Sequence, residues 1–172
     1  MELILKGKCW KFGDNLSTDV AVLPLSVVKE LGRDAKVLKD YVLSSIAPQF
    51  PKQVRPGDII VAGKRFGHGN PHVWGYRALK ELGVGLIVES IARGGFRNAV
   101  TAGVPFLPAV KGITKKVSQG DELEANFKTG EIKNLTTGEL IKAEPLDAPI
   151  LEIIEAGGQQ GFLEKKFTRS SG

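Results

Sequence analysis

Residues 61–90, "VAGKRFGHGNPHVWGYRALKELGVGLIVES", run from one apolar stretch through a glycine-rich turn and a polar-faced segment into a second apolar stretch. "IIVAG" before the turn and "VGLIVES" after it are short, continuous apolar runs, the pattern of strands buried on both faces. Between them Val73, Tyr76, Leu79 and Leu82 repeat at helical spacing, and Gly83 follows where a helix would end. Strand, helix and strand within about 30 residues make a βαβ unit with parallel strands. The turn holds both histidines of the chain, His68 and His72.

Outward from this unit the reading is consistent. "GKCWKFG" (7–13) alternates as a strand, and "DNLSTD" (14–19) is a polar turn. Residues 26–46 have helical spacing interrupted by Gly32, and 48–58 form a proline-punctuated loop. "GGFRNAVTAG" predicts a helix closed by Gly103, and "VPFLPAV" a third strand. After Gly120 the turn signals Thr129-Gly130 and Thr137-Gly138 separate alternating segments, as in a β-meander or hairpin pair. The chain ends in a helix, a Gly157-Gly158 break and a second helical piece. We expect one domain over 1–168, with 169–172 a flexible tail or cloning remnant. The fold class is α/β with added antiparallel strands.

Composition narrows the function. The 172 residues carry 24 Lys and Arg against 19 Asp and Glu, a net charge of +5, scattered rather than striped. No basic track interleaved with aromatics points to nucleic acid, and an anionic small molecule suits the balance. The one cysteine, Cys9, excludes an internal disulfide and cannot by itself hold an iron–sulfur cluster or structural zinc. No apolar run approaches the roughly 20 residues that span a bilayer. A cytoplasmic protein with no membrane segment and no metal site of its own is expected.

In the turn, Gly67 and Gly69 permit positive φ, Asn70 stands at an N-cap position and Pro71 at the first helical position. A helix start of this kind favours an anion. A nucleotide-hydrolase phosphate loop is excluded, because Asn70-Pro71-His72 stands where Gly-Lys-Ser/Thr is needed. A dinucleotide fingerprint with Glu89 as its acidic partner, and a plain ligand-free turn, both stay open.

The chain resembles the small subunit of 3-isopropylmalate dehydratase, the counterpart of the swivelling domain of aconitase. The likeness runs through "GKCWKFGDNLSTDV", "VRPGDIIVAGKRFGHG", "ALKELGVGLIVESIARGGFRNAVTAGVPFLP" and "GDELEANFKTGEI", in that order. It implies a swivelling β/β/α domain: a mixed sheet flanked by helices with a C-terminal β-hairpin region. It also implies a hydro-lyase subunit that is inactive without a large, cluster-binding partner. The [4Fe–4S] cluster belongs to that partner, and the substrate is a small anionic hydroxy acid. The family's Ser-Ser-Arg-Glu after the glycine turn reads Asn70-Pro71-His72-Val73 here. The serine base and the carboxylate-clamping arginine are therefore both replaced. On this resemblance the candidate catalytic residues are His72, Asn70 and Asp19. The candidate substrate-binding residues are Arg65, Gly67, His68, Gly69, Asn70, Pro71, His72 and Thr18. A helix N-terminus would keep the His72 imidazole neutral, fit to take a proton. Arg97 and Asn98 match the family's loop-bracing Arg-Asn pair. The alternative reading, motivated by the lost serine and arginine, is a non-catalytic binding or regulatory module that keeps the fold.

Overall fold

The computed structural model describes residues 3–170. One seven-stranded mixed sheet, in the order β4-β3-β2-β1-β5-β6-β7, organises them. The strands are β1 (Ile4–Lys11), β2 (Ile59–Ala62), β3 (Gly85–Val88), β4 (Phe106–Leu107), β5 (Glu122–Asn126), β6 (Glu131–Asn134) and β7 (Leu140–Lys142). β1 pairs parallel to β2, β2 to β3 and β3 to β4, whereas β5, β6 and β7 run antiparallel from the other side of β1.

The helices are α1 (Leu25–Leu31), α2 (Ala35–Leu38), α3 (Phe50–Gln53), α4 (Trp74–Leu82), α5 (Arg93–Ala102), α6 (Ile113–Lys116), α7 (Ala148–Glu155) and α8 (Gln159–Ser170). Every residue of β2 and β3 is buried, as the unbroken apolar runs require. The antiparallel half instead alternates, with Leu123, Ala125, Ile132 and Ile141 turned inward. Gly83 and Gly103 close α4 and α5 with φ of 73° and 79°, a left-handed conformation in which a glycine bears no Cβ penalty.

Several boundaries differ from the sequence reading. β1 begins three residues before Gly7. The proline-rich 48–58 segment contains α3, because Phe50 is drawn into the core edge-on to Trp10 at 5.1 Å. The helical region 26–46 is two short helices followed by a 3-10 turn over Lys39–Tyr41. Residues 14–19 do not form a simple turn: Thr18–Val22 is a five-residue π-helical turn, capped by the Ser17 hydroxyl on the Ala21 amide. Arg169 and Ser170, read as tail, continue α8, while 171–172 lie outside the described residues.

Asp58, only 5 % exposed, ties β1 to the turn before β2. Its carboxylate accepts the amides of Lys8 (2.9 Å) and Arg55 (3.0 Å) and the Trp10 indole N–H (3.0 Å). Asp58→Ala leaves three donors without an acceptor, an expected loss of about 3 kcal/mol. A fall in melting temperature of roughly 10 °C, read by thermal denaturation, is the corresponding result. A melt within 2 °C of the wild type would count against this network.

Candidate functional site

The glycine turn leaves β2 and threads as a middle strand between two other loops at the same end of the parallel strands. On one side the Gly67 amide donates to the Leu16 carbonyl (2.8 Å) and the Thr18 amide to the His68 carbonyl (2.9 Å). On the other, the Phe66 amide donates to Ser90 (3.1 Å) and the Ala92 amide to Phe66 (2.8 Å). Residues from the ends of β1, β2 and β3 are thereby drawn together, the usual place for a ligand on a parallel sheet. Arg65 takes φ 59° in this loop, held by its amide on the Ser90 hydroxyl at 2.9 Å.

Gly67 is the tightest point. Its φ is 75°, and a Cβ there would collide with the Tyr76 hydroxyl and stand 2.9 Å from the Gly95 Cα. Thr18, fully buried, donates its hydroxyl to the Gly67 carbonyl (3.0 Å) and lies 3.1 Å from the Tyr76 hydroxyl. A threonine hydroxyl has one hydrogen, so Tyr76 is the donor in that second bond. The relay Tyr76 → Thr18 → Gly67 fixes the turn from inside the core. Thr18, a candidate for touching substrate, spends its side chain on this brace. Burial pushes the Tyr76 phenol up to about 12, so it keeps its proton.

The cap expected at Asn70 and Pro71 is absent. Helix α4 starts at Trp74, with Val73 as its uncapped N-cap residue. Tertiary contacts override the local signal: Pro71 packs against Gly94, where a Cβ would lie 2.8 Å from the Pro71 Cβ, and His72 Nε2 lies 3.1 Å from the Leu23 carbonyl. Gly69 and Asn70 are solvent-exposed, and their amides make no bond within the described residues. The Gly67 amide, by contrast, is consumed by Leu16 and is closed to an anion.

His72 is half-buried. A carbonyl only accepts, so Nε2 carries a proton; Nδ1 is shut off from solvent and makes no hydrogen bond, although the Thr18 carbonyl is near enough to act on the ring. Its pKa is lowered, first by burial; the Leu23 and Thr18 carbonyls and the Asp19 carboxylate oppose this and lose. The expected direction holds, but its leading cause is desolvation and not the helix end. Asp19 sits beside Gly69, where a Cβ would be 2.5 Å from its Oδ1 (φ of Gly69 84°). His68 is partly exposed, and its Nε2 donates to the Asn15 carbonyl at 2.9 Å. Asp19 thus lies against Gly69 and its charge reaches His72, while Asn70 and Pro71 between them are solvent-exposed. Arg65 and His68 lie further back along the same loop.

The dinucleotide reading ends at Glu89, which accepts the Gly112 amide at 2.7 Å and so caps the turn before α6. Cys9 is fully buried, its thiol pushed up to about 12 chiefly by desolvation, with Asp121 adding to it. Among the described residues no group of three or more His, Cys, Asp or Glu side chains converges as a metal site. These residues do not fit an iron–sulfur cluster. No helix among them is long and apolar enough to cross a membrane. Tyr76, Gly94, Gly95 and the Leu23 carbonyl, all structural partners of the turn, had no distinguishing signal in the sequence.

Comparison with known proteins places these features in context. The chain is 46 % identical over 171 residues to the isopropylmalate/citramalate isomerase small subunit of Methanocaldococcus jannaschii, covering 99 % of each. It is 38 % identical over 159 residues to the methanogen homoaconitase small subunit of Methanothermobacter thermautotrophicus, covering 92 % of this chain and 89 % of that one. It is 39 % identical over 163 residues to 3-isopropylmalate dehydratase small subunit 1 of Thermotoga maritima (94 % and 96 %). The crystal structure of a 3-isopropylmalate dehydratase from M. jannaschii superposes with a TM-score of 0.89 at 32 % identity, over 98 % of each chain. No family model matches the chain.

Proposed function

The chain belongs to the small-subunit family of the 3-isopropylmalate dehydratases and related isomerases, and from that membership we propose that it completes, with a large subunit, an active site for a small anionic hydroxy acid. The observation that carries this is the chain's relation to such subunits over its whole length, with Asp19 set against the glycine turn at Gly69 beyond the ends of the parallel strands.

Moving water across two adjacent carbons requires a base for the proton beside a carboxylate, and donors for the charge that develops. The amides of Gly69 and Asn70 are the donors offered to a substrate carboxylate. His72 is the proton acceptor in this reading, through Nδ1, its other nitrogen being fixed as N–H by Leu23. Nδ1 is enclosed in the chain on its own, so the role requires assembly with the large subunit to open it to substrate. Asp19, whose charge reaches His72, stabilises the imidazolium once it forms. The chain lacks the arginine fork that would clamp a carboxylate bidentately at this point, so the relatives' substrates do not transfer to it unchanged. A [4Fe–4S] cluster belongs to the large subunit in this reading, and the small chain alone is inactive.

The test is anaerobic co-production of this chain with the large subunit from the same source, then a screen of hydroxy acids followed by alkene absorbance. Turnover of one or more acids by the pair, and by neither chain alone, is the expected result. A well-formed complex that turns over none of them would favour the non-catalytic module, a reading to which the engagement of His72 Nε2 with Leu23 lends some support.

A further inference from the structure

Exposed apolar side chains are concentrated in one arm of the molecule. Val20, Leu31, Val37, Tyr41 and Ile46 are five of the ten large apolar residues exposed among the described residues. Val20 is the most open of the five, at 62 %. The arm is folded onto the proposed site. The Leu43 amide donates to the Val22 carbonyl (2.9 Å), and the Ser45 hydroxyl to the Val20 carbonyl (3.0 Å), setting residues 45–46 beside Val20. The first turn of α4 lies on the same segment, since a Cβ at Gly75 would be 3.2 Å from both Val22 and Leu23.

Here two guanidiniums share one indole ring. Arg33, in the turn between α1 and α2, lies 4.8 Å from the Trp74 ring centroid, and Arg77, one turn along α4, lies 5.2 Å from it. Neither has an ion-pair partner among the described residues. The nearest carboxylate in sequence, Asp34, is turned onto the Lys36 amide (3.0 Å). Tryptophan and arginine on the same arm as five exposed apolar side chains is the composition of an interface, not of an ordinary solvated face. A two-fold contact between copies would set this patch against itself, bringing four unpaired guanidiniums together on chains of net charge +5.

We propose that this face docks the large subunit, and that an acidic segment of that subunit seats against Arg33, Trp74 and Arg77. The proposal rests on the small-subunit reading above. It puts the docking surface directly beside His72, so assembly and closure of the active site are one event.

Binding of this chain to immobilised large subunit, measured by biolayer interferometry at low and high salt, tests it. R33E/R77E is expected to weaken the complex about 100-fold and to remove most of its salt dependence. W74A is expected to weaken it at least about tenfold. V20D, at an exposed position outside the core, gives the same direction of change should W74A fold poorly. K142E, at the far edge of the sheet, should bind within twofold of the wild type. Affinities within twofold for R33E/R77E, W74A and V20D would overturn the proposal while leaving the small-subunit reading intact. Normal affinity with lost self-association in sedimentation would overturn it in favour of a second copy. A wild-type chain that fails to bind the large subunit at all would overturn both readings.

Discussion

His72→Ala is expected to lower kcat of the reconstituted complex by at least about 100-fold, the usual contribution of a positioned general base. Two roles of His72 are separable. It is a neutral imidazole with a lone pair on Nδ1, and it is a donor through Nε2 to the Leu23 carbonyl. His72→Gln retains a donor of similar reach but has no basic nitrogen. If His72 is the base, His72→Gln is as inactive as His72→Ala. Recovery of activity in His72→Gln would make it a brace for the α1 side of the site and remove it from the proton transfer.

The pH dependence follows from the sign of its shift. Burial holds the folded-state pKa below the ordinary value of 6.5. In the window between that lowered value and 6.5 the unfolded chain binds the proton and the folded chain does not. Stability therefore rises with pH across the window, and this contribution is lost as pH falls through it. The acid limb of kcat/KM should likewise lie below 6.5 in the wild type. Its disappearance in His72→Gln, with the rest of the profile kept, is the signature that a purely structural histidine would not give.

The sequence was most informative where one residue type has one physical use. Gly83 and Gly103 marked the ends of α4 and α5 because a left-handed closing residue is nearly always glycine. The unbroken apolar runs marked β2 and β3 because strands covered on both faces need no polar alternation. Local signals failed where distant parts of the chain compete for the same residue. Asn70 and Pro71 are a good start for a helix, yet Pro71 is held by Gly94 and His72 by Leu23, and α4 begins later. Tyr76 read as one apolar position in a helical stripe, whereas its hydroxyl serves Thr18, 58 residues away. Asp58 read as the last residue of a proline-punctuated loop and is a buried acceptor for three donors. The central place of β1, parallel to β2 and antiparallel to β5, depends on pairing that no periodicity encodes.

Gly67→Ala is the substitution expected to damage the fold most. The φ of 75° disfavours any Cβ, by about 1–2 kcal/mol. The added methyl has nowhere to go. It meets the Tyr76 hydroxyl, and the Gly95 Cα is 2.9 Å away. Neither neighbour yields readily, because Tyr76 is fully buried with its hydroxyl on Thr18 and Gly95 is inside α5. Overpacking of this kind adds about 1–3 kcal/mol, for a total of about 2–5 kcal/mol. Against the roughly 5–15 kcal/mol that holds such a domain together, the loss is large. It should appear as a melting temperature lower by about 5–15 °C. Tyr76→Phe alone breaks the relay to Thr18 and is mildly destabilising. In the Gly67→Ala background it removes the atom the methyl strikes, so the double variant should melt higher than Gly67→Ala. That non-additivity is specific to two groups in contact. Strictly additive losses, or a Gly67→Ala protein melting within 2 °C of the wild type, would show that the turn is not pinned by Tyr76, and the geometry assigned to Asp19, Gly69 and His72 would lose its support.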